Sequence, residues 1–285
     1  MRKSFRALCV ATALAAAFVA APAGAFELDA KSVELDHPTP WPLENLVKPG
    51  KLVIATTAKN QKETFIDTDG TLKGARIELW TKLAEDLGLE AEFVPIDWAG
   101  VMPGLAANRF DMGCEGASWT NERLTSKDFF LTRPVKVAVN VAVVRADSEY
   151  QTLDDLKEAR VGGVKGEVEM KALLTKVGKS EEDALQLPGV AEARLALLNK
   201  QIEAYGTGIH AAQALLDGEQ GDQLRIINEP TFVGVGGFCV NKNEPDLLTA
   251  VNFMMAKYRV DGTITEINAK WGLPDHSDLL TQLGY

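Results

Sequence analysis

Lys51-Leu52-Val53-Ile54-Ala55 opens the stretch whose reading decides the fold, residues 51–114. Leu52 to Ala55 make an apolar run of strand length, and Thr68-Asp69-Gly70 is a turn. Ile77, Trp80, Ala84 and Leu87 then recur at helical spacing until Gly88 stops them. A strand through Phe93-Val94, a helix after Asp97 carrying Val101, Leu105 and Ala106, and a strand from Phe110 to Cys114 complete the order β-α-β-α-β. Strands alternating with helices of this length predict an α/β fold, a mainly parallel sheet with helices on both faces.

Downstream, the Val-rich stretch Val135 to Val144 follows Arg133-Pro134 and suits a strand leaving one unit for another. Thr152-Leu153-Asp154-Asp155 has the capping-box pattern of a short helix, Val161-Gly162-Gly163-Val164 reads as a strand, and a helix from Glu192 to Leu198 leads to Ile202. This second βα unit of roughly 90 residues has the size of a small lobe. A strand at Phe238-Cys239-Val240 precedes two closing helices, Pro245 to Arg259 and Thr263 to Trp271. Upstream, residues 26–50 place Pro40, Pro42 and Pro49 around Trp41 with no regular period, which predicts an extended arm anchored by Trp41. Residues 1–25 read as a secretory signal peptide. Arg2, Lys3 and Arg6 supply the positive region, Ala7 to Ala21 is too short to span a bilayer, and Ala23-Gly24-Ala25 is a cleavage site cut after Ala25.

The 285 residues carry 30 basic and 40 acidic side chains, a net charge of −10, with 46% hydrophobic and 25% charged residues. Removing Arg2, Lys3 and Arg6 with the signal peptide leaves 27 basic residues against 40 acidic, or −13. That balance speaks against nucleic acid and against an anionic membrane surface, both of which need clustered Lys and Arg. No second hydrophobic stretch approaches ~18 residues, so no membrane insertion is expected after cleavage and the mature chain is placed in the periplasm. Cys114 and Cys239 either pair or sit buried as small hydrophobes. His37, His210 and His276 lack metal-ligand spacing, so no metal site is expected.

Between Gly50 and Tyr285 a set of short motifs follows in a fixed order: Asp69-Gly70 then Gly74; Asp97-Trp98-Ala99-Gly100; Phe110-Asp111 running to Gly116 and Thr120-Asn121-Glu122-Arg123; Asp128-Phe129; Leu153 to Leu156 then Gly166; Asp261-Gly262-Thr263; Lys270-Trp271-Gly272. In that order the chain resembles the amino-acid type (family 3) of bacterial extracellular solute-binding proteins that feed ABC importers. The resemblance implies a two-lobed, type II periplasmic-binding-protein fold, each lobe a mainly parallel sheet flanked by helices, joined by two crossing strands. Lobe 1 takes residues 51–139 and 232–285, and lobe 2 takes 140–231. It also implies a monomer that closes like a flytrap on a small-molecule ligand, an ABC transporter permease as partner, and no catalytic cofactor. Independently of the family, ligands of open α/β sheets gather beyond strand carboxyl ends, near free backbone N–H groups and helix N-termini. Gly116-Ala117-Ser118-Trp119-Thr120 supplies such a loop, and Arg123 a bidentate fork for a carboxylate. The alternative for Arg123 is a surface pairing with Glu122 or Asp128.

Some positions depart from the family's pattern. In proteins this chain resembles, a lobe 2 acid shortly after Glu203-Ala204 meets the ligand's ammonium. Here the slot reads Tyr205-Gly206-Thr207-Gly208, Thr57 is neutral, and Asn60 stands where an aromatic is usual. A buried ammonium without a carboxylate is costly, so an ordinary zwitterionic amino acid fits poorly. Trp98, Ser118, Trp119, Thr120, Arg123, Lys165, Gly166, Glu167 and Arg76 instead predict a site for an anionic ligand. Two indoles and three cations suit a planar aromatic polycarboxylate such as pyrroloquinoline quinone (PQQ), to whose carbonyl Lys165 is a candidate to add. The acidic residues are then expected over the outer faces and the cations in the cleft. Glu115 and Glu167 weigh against a polyanion, since they would accept a ligand hydroxyl or ammonium or pair with Lys165. Trp80 and Trp271 are assigned to packing, core packing is the alternative for Trp119, and solvent the alternative for Arg76. Two other functions compete. One is a binder of a polar amino acid or derivative. The other is a cyclohexadienyl-dehydratase-like enzyme on the same fold, acting on prephenate-like substrates with Glu115 or Glu167 as acid.

Overall fold

Leu52, Val53, Ile54 and Ala55 are at most 2% exposed, so both faces of their strand, Lys51–Thr56, are covered. The computed structural model describes residues 37–285 except Thr39 and Gln61, with Lys59 and Asn60 through their backbone alone. The expected signal peptide, its cleavage after Ala25 and residues 26–36 of the arm lie outside the described residues.

The strand pairs in parallel with Glu90–Pro95 on one side and Met112–Gly113 on the other. Helix Ala75–Asp86 lays Leu79, Trp80 and Leu83 on one face of this sheet. Helix Trp98–Ala106 lays Val101 and Leu105 on the other. Alternation along the strand divides the core accordingly, Leu52 and Ile54 packing with Trp80 and Val53 and Ala55 packing with Val101. Trp80 is wholly buried, donates from Nε1 to the Cys114 carbonyl (3.0 Å) and stands edge-on to Phe238 (4.4 Å). Phe129–Leu131 and Cys239–Asn241 complete the sheet through antiparallel pairs. Cys114 packs in the core on one side of this sheet and Cys239 in the core on the other, so both are free buried thiols.

A second sheet runs in the order Leu185–Leu187, Val161–Val164, Ala204–Gly208, Lys136–Arg145, Phe232–Gly237, Ala117–Ser118, with Leu224–Ile226 also on Lys136–Arg145. Its βα units pair in parallel, but Lys136–Arg145 and its neighbours are antiparallel. Lys136–Arg145 thus runs opposite to Ala204–Gly208, Leu224–Ile226 and Phe232–Gly237, the partners on which it pairs. Lys136 to Asn140 pair with Phe232 to Gly236, and Asn140 to Val144 with Ala204 to Gly208, which makes the two strands of the crossing. Helices Val168–Val177 and Ile209–Asp217 and a small sheet of Lys59–Asn60, Thr64–Ile66 and Leu72–Lys73 add to the elements expected from the sequence. The Thr152 pattern closes a single 3₁₀ turn, Asp155 accepting the Gln151 and Thr152 N–H groups at 2.8 Å each. Trp41 stacks on His37 and packs against Phe253 of helix Pro245–Val260, 5.7 Å between rings.

Candidate functional site

A cavity of about 180 Å³ opens where the carboxyl ends of both sheets meet. Thr57 follows the first strand, Asp97 and Trp98 the second, and Glu115 to Ser118 the third. Glu167, Gly189, Gly208 and His210 come from the turns of the second sheet, and Lys136 to Asn140 from the crossing strand. Among the described residues four helices begin at the cavity: Trp98–Ala106, Val168–Val177, Val190–Leu198 and Ile209–Asp217. Their N-terminal partial charges favour an anionic group and moderate the repulsion among nearby acids.

Three expected residues meet at one end. The Thr120 hydroxyl accepts the Arg123 N–H (3.2 Å) and caps the single turn Asn121–Leu124. That turn directs the guanidinium to the Ser118 carbonyl (3.1 Å from Nη1) and over the Trp98 ring, 5.6 Å from its centroid. Trp98, Ser118 and Arg123 all line the cavity, as does Glu167.

The other expected residues lie outside the lining of this cavity. Trp119 follows strand Ala117–Ser118 and does not line the cavity. Its N–H donates to the Val235 carbonyl (2.8 Å), and its ring packs edge-on against Tyr285 (5.8 Å). Thr120 is spent on the cap. Lys165 is exposed because Val164, its neighbour along the chain, points inward, and its N–H donates to the Leu187 carbonyl. Gly166, at φ 80°, brings its turn against Ala99 beside the lining without forming part of it. Arg76 is 9% exposed with its guanidinium 5.5 Å from the Phe238 ring centroid, and lines a smaller neighbouring cavity with Glu63, Lys136, His210 and His276.

The charge of the cleft also differs from expectation. Glu63, Asp97, Glu115, Glu167 and Glu169 line it, against Arg123 and Lys136. Burial raises the Glu63 carboxyl, but Arg76, Lys136 and His210 together bring it below the usual range, so it is anionic. Gly74 holds it there: at φ 128° a Cβ would lie 2.2 Å from the Glu63 carbonyl oxygen. Glu115 is 9% exposed, and its Oε1 gathers the Thr57 N–H (2.7 Å) and the hydroxyls of Thr56, Thr57 and Thr64 (3.0 Å each). Its Oε2 is buried and receives no hydrogen bond from a described residue. Burial raises its pKa above the usual carboxylate range while those four donors pull it back. Glu167 starts helix Val168–Val177 without bonding to its N–H groups, and burial followed by Glu169 pushes it up to about 8. It is therefore protonated near neutral pH and available as a donor. Sequence reasoning missed Glu63, Lys136 and His210, which arrive from three separate segments with no common motif to mark them.

Residues 52–274 match the bacterial extracellular solute-binding proteins, family 3. The chain is 26% identical to the L-cystine-binding protein TcyJ of Escherichia coli (strain K12), over 80% of this chain and 85% of that one. An ancestral arginine-binding protein bound to arginine aligns with TM-score 0.70 at 28% identity, covering 78% of this chain and 98% of that one. The ancestral amino acid-binding protein AncCDT-1, a precursor of cyclohexadienyl dehydratase, aligns with TM-score 0.69 at 26% identity, covering 78% and 95%. Two α/β sheets joined by crossing strands, a cavity at their carboxyl ends and a match across 52–274 agree: the chain belongs to the bacterial extracellular solute-binding proteins, family 3.

Proposed function

We propose that the protein is a periplasmic, non-enzymatic binder of a polar amino acid or derivative, which lobes 51–139/232–285 and 140–231 enclose for delivery to an ABC permease. The observation that carries this reading is one cavity presenting the Arg123 fork together with buried carboxyl groups, a pairing that answers both charges of a zwitterion. The relatives named for cystine and arginine support it. It replaces the planar polycarboxylate expected from the sequence. The acids that line the cavity outnumber Arg123 and Lys136, which disfavours a tricarboxylate such as PQQ. The exposed Lys165 lies outside the cavity lining, where addition to an enclosed quinone has no geometric support. Isothermal calorimetry of the wild type against a panel of L-amino acids tests the reading. One ligand per chain is expected, weakened at least ~10-fold by Arg123→Ala, and no binding across the panel refutes it.

One observation favours a second reading. A protonated Glu167 in the cavity is suited to general acid work, as a dehydratase requires. Glu167-dependent turnover of a prephenate-like substrate is the result that would establish it.

A further inference from the structure

Among the carboxyls that line the cavity, Glu115 beyond the first sheet and Glu167 at the second are built differently. All four donors to Glu115 converge on Oε1. They come from the end of strand Lys51–Thr56, from Thr57 beyond it and from strand Thr64–Ile66, so a single oxygen is fixed by separate pieces of backbone. Such a donor set suits an ionised carboxylate, because each N–H or O–H stabilises negative charge. Oε2 is then left buried with no donor among the described residues, which is unfavourable for a carboxylate unless a further donor arrives. Glu167 has no comparable set of donors, and Glu169 beside it opposes its ionisation. The sheet 2 slot Tyr205-Gly206-Thr207-Gly208 contains no acid, and Thr207 and Gly208 line the cavity there.

Resting on the amino-acid reading above, we infer that Glu115 is the residue that receives the ligand's ammonium, through Oε2, so that recognition of the positive charge has moved from the second sheet to the first. Arg123, five residues beyond Ser118 and donating to its carbonyl, takes the carboxylate of the same ligand. The ligand class is one bearing a primary ammonium and a carboxylate. A hydroxy acid of the same skeleton, which lacks the charged donor, leaves Oε2 unanswered.

The test is calorimetry of the whole chain with L-arginine, L-histidine and L-cystine, and with the 2-hydroxy acid corresponding to whichever binds. Wild type, Glu115→Gln and Glu167→Gln are compared, with circular dichroism confirming the fold of each. The expected result is a loss on the order of 100-fold or more for the amino acid in Glu115→Gln, against less than ~3-fold for the hydroxy acid. Glu167→Gln, whose amide reproduces a neutral donor, stays within ~5-fold for both. Equal losses for the two ligands in Glu115→Gln, or unchanged affinity there with the ammonium dependence carried by Glu167→Gln, overturn the inference and leave the amino-acid reading intact. Failure of all three amino acids to bind wild type overturns both.

Discussion

Replacing Glu244 by Gln should stabilise the protein by an amount that grows with pH. Glu244 precedes helix Pro245–Val260, is 3% exposed, and neither of its oxygens receives a hydrogen bond from a described residue. Asp111 beside it is wholly buried, and its two oxygens accept the Val47 and Val53 N–H groups at 2.7 and 2.5 Å. Two adjacent carboxyls without a cation bond to each other only by sharing a proton. Burial and the neighbouring Asp111 push Glu244 up to about 10, and burial raises Asp111 as well. Unfolded, the Glu244 side chain titrates near its ordinary value of 4.5. Between those two values the folded state holds one proton more than the unfolded chain. Stability therefore falls as pH rises, by about 1.4 kcal/mol per pH unit from this group, or about 2.7 kcal/mol from pH 5.5 to 7.5. In Glu244→Gln the amide donates to Asp111 at every pH, so that slope disappears. Urea unfolding of both proteins at half-unit steps from pH 5.5 to 8 gives the difference in stability directly. A difference that stays constant across the series refutes the shared proton, whatever its size.

Other outcomes follow from the cleft and the core. Because Glu167 titrates at about 8, a ligand that accepts its proton should bind with unchanged affinity up to neutral pH and lose about tenfold per unit above ~8, a loss absent in Glu167→Gln. Ligand binding should change tryptophan fluorescence through Trp98, which lines the cavity, so Trp98→Phe removes most of the signal while Trp119→Phe, facing Tyr285, retains it. Cys114 and Cys239, buried on opposite faces of one sheet with burial raising both thiols, should resist a thiol reagent until the protein is unfolded, when both react; an intact-mass loss of a hydrogen pair would show a disulfide instead. Gly74→Ala should destabilise by roughly 2 kcal/mol or more and weaken ligand binding, since the added Cβ meets the Glu63 carbonyl; thermal unfolding and calorimetry read the two effects.

The β-α-β-α-β order of residues 51–114 was legible because each element there carries the spacing of its own apolar residues and the turn signals at its ends. Trp80 as core, Trp41 as the arm's anchor and Arg123 beside Ser118 are of the same local kind. Helix Val168–Val177 carries Met170, Leu173, Leu174 and Val177 at helical spacing, and that signal was there to be found. The cleft was harder. Ser118 and Trp119, or Val164 and Lys165, differ by one position, and a strand sends consecutive side chains to opposite faces, so only the pairing partners decide which of each couple reaches the cavity.

By itself, then, the sequence determined the layers of this protein, their order, and the loop that carries Arg123, because these follow from periodicity and local backbone hydrogen bonding. Only the tertiary structure decided the sign of the cleft. Glu63, Glu115, Glu167, Lys136 and the threonines around Glu115 come from distant segments, and their ionisation depends on burial and on neighbours that packing alone brings together. A net charge of −10, read as an acidic shell around a cationic site, is in the folded chain also an acidic site, and that reversal changes the ligand the protein is built to hold.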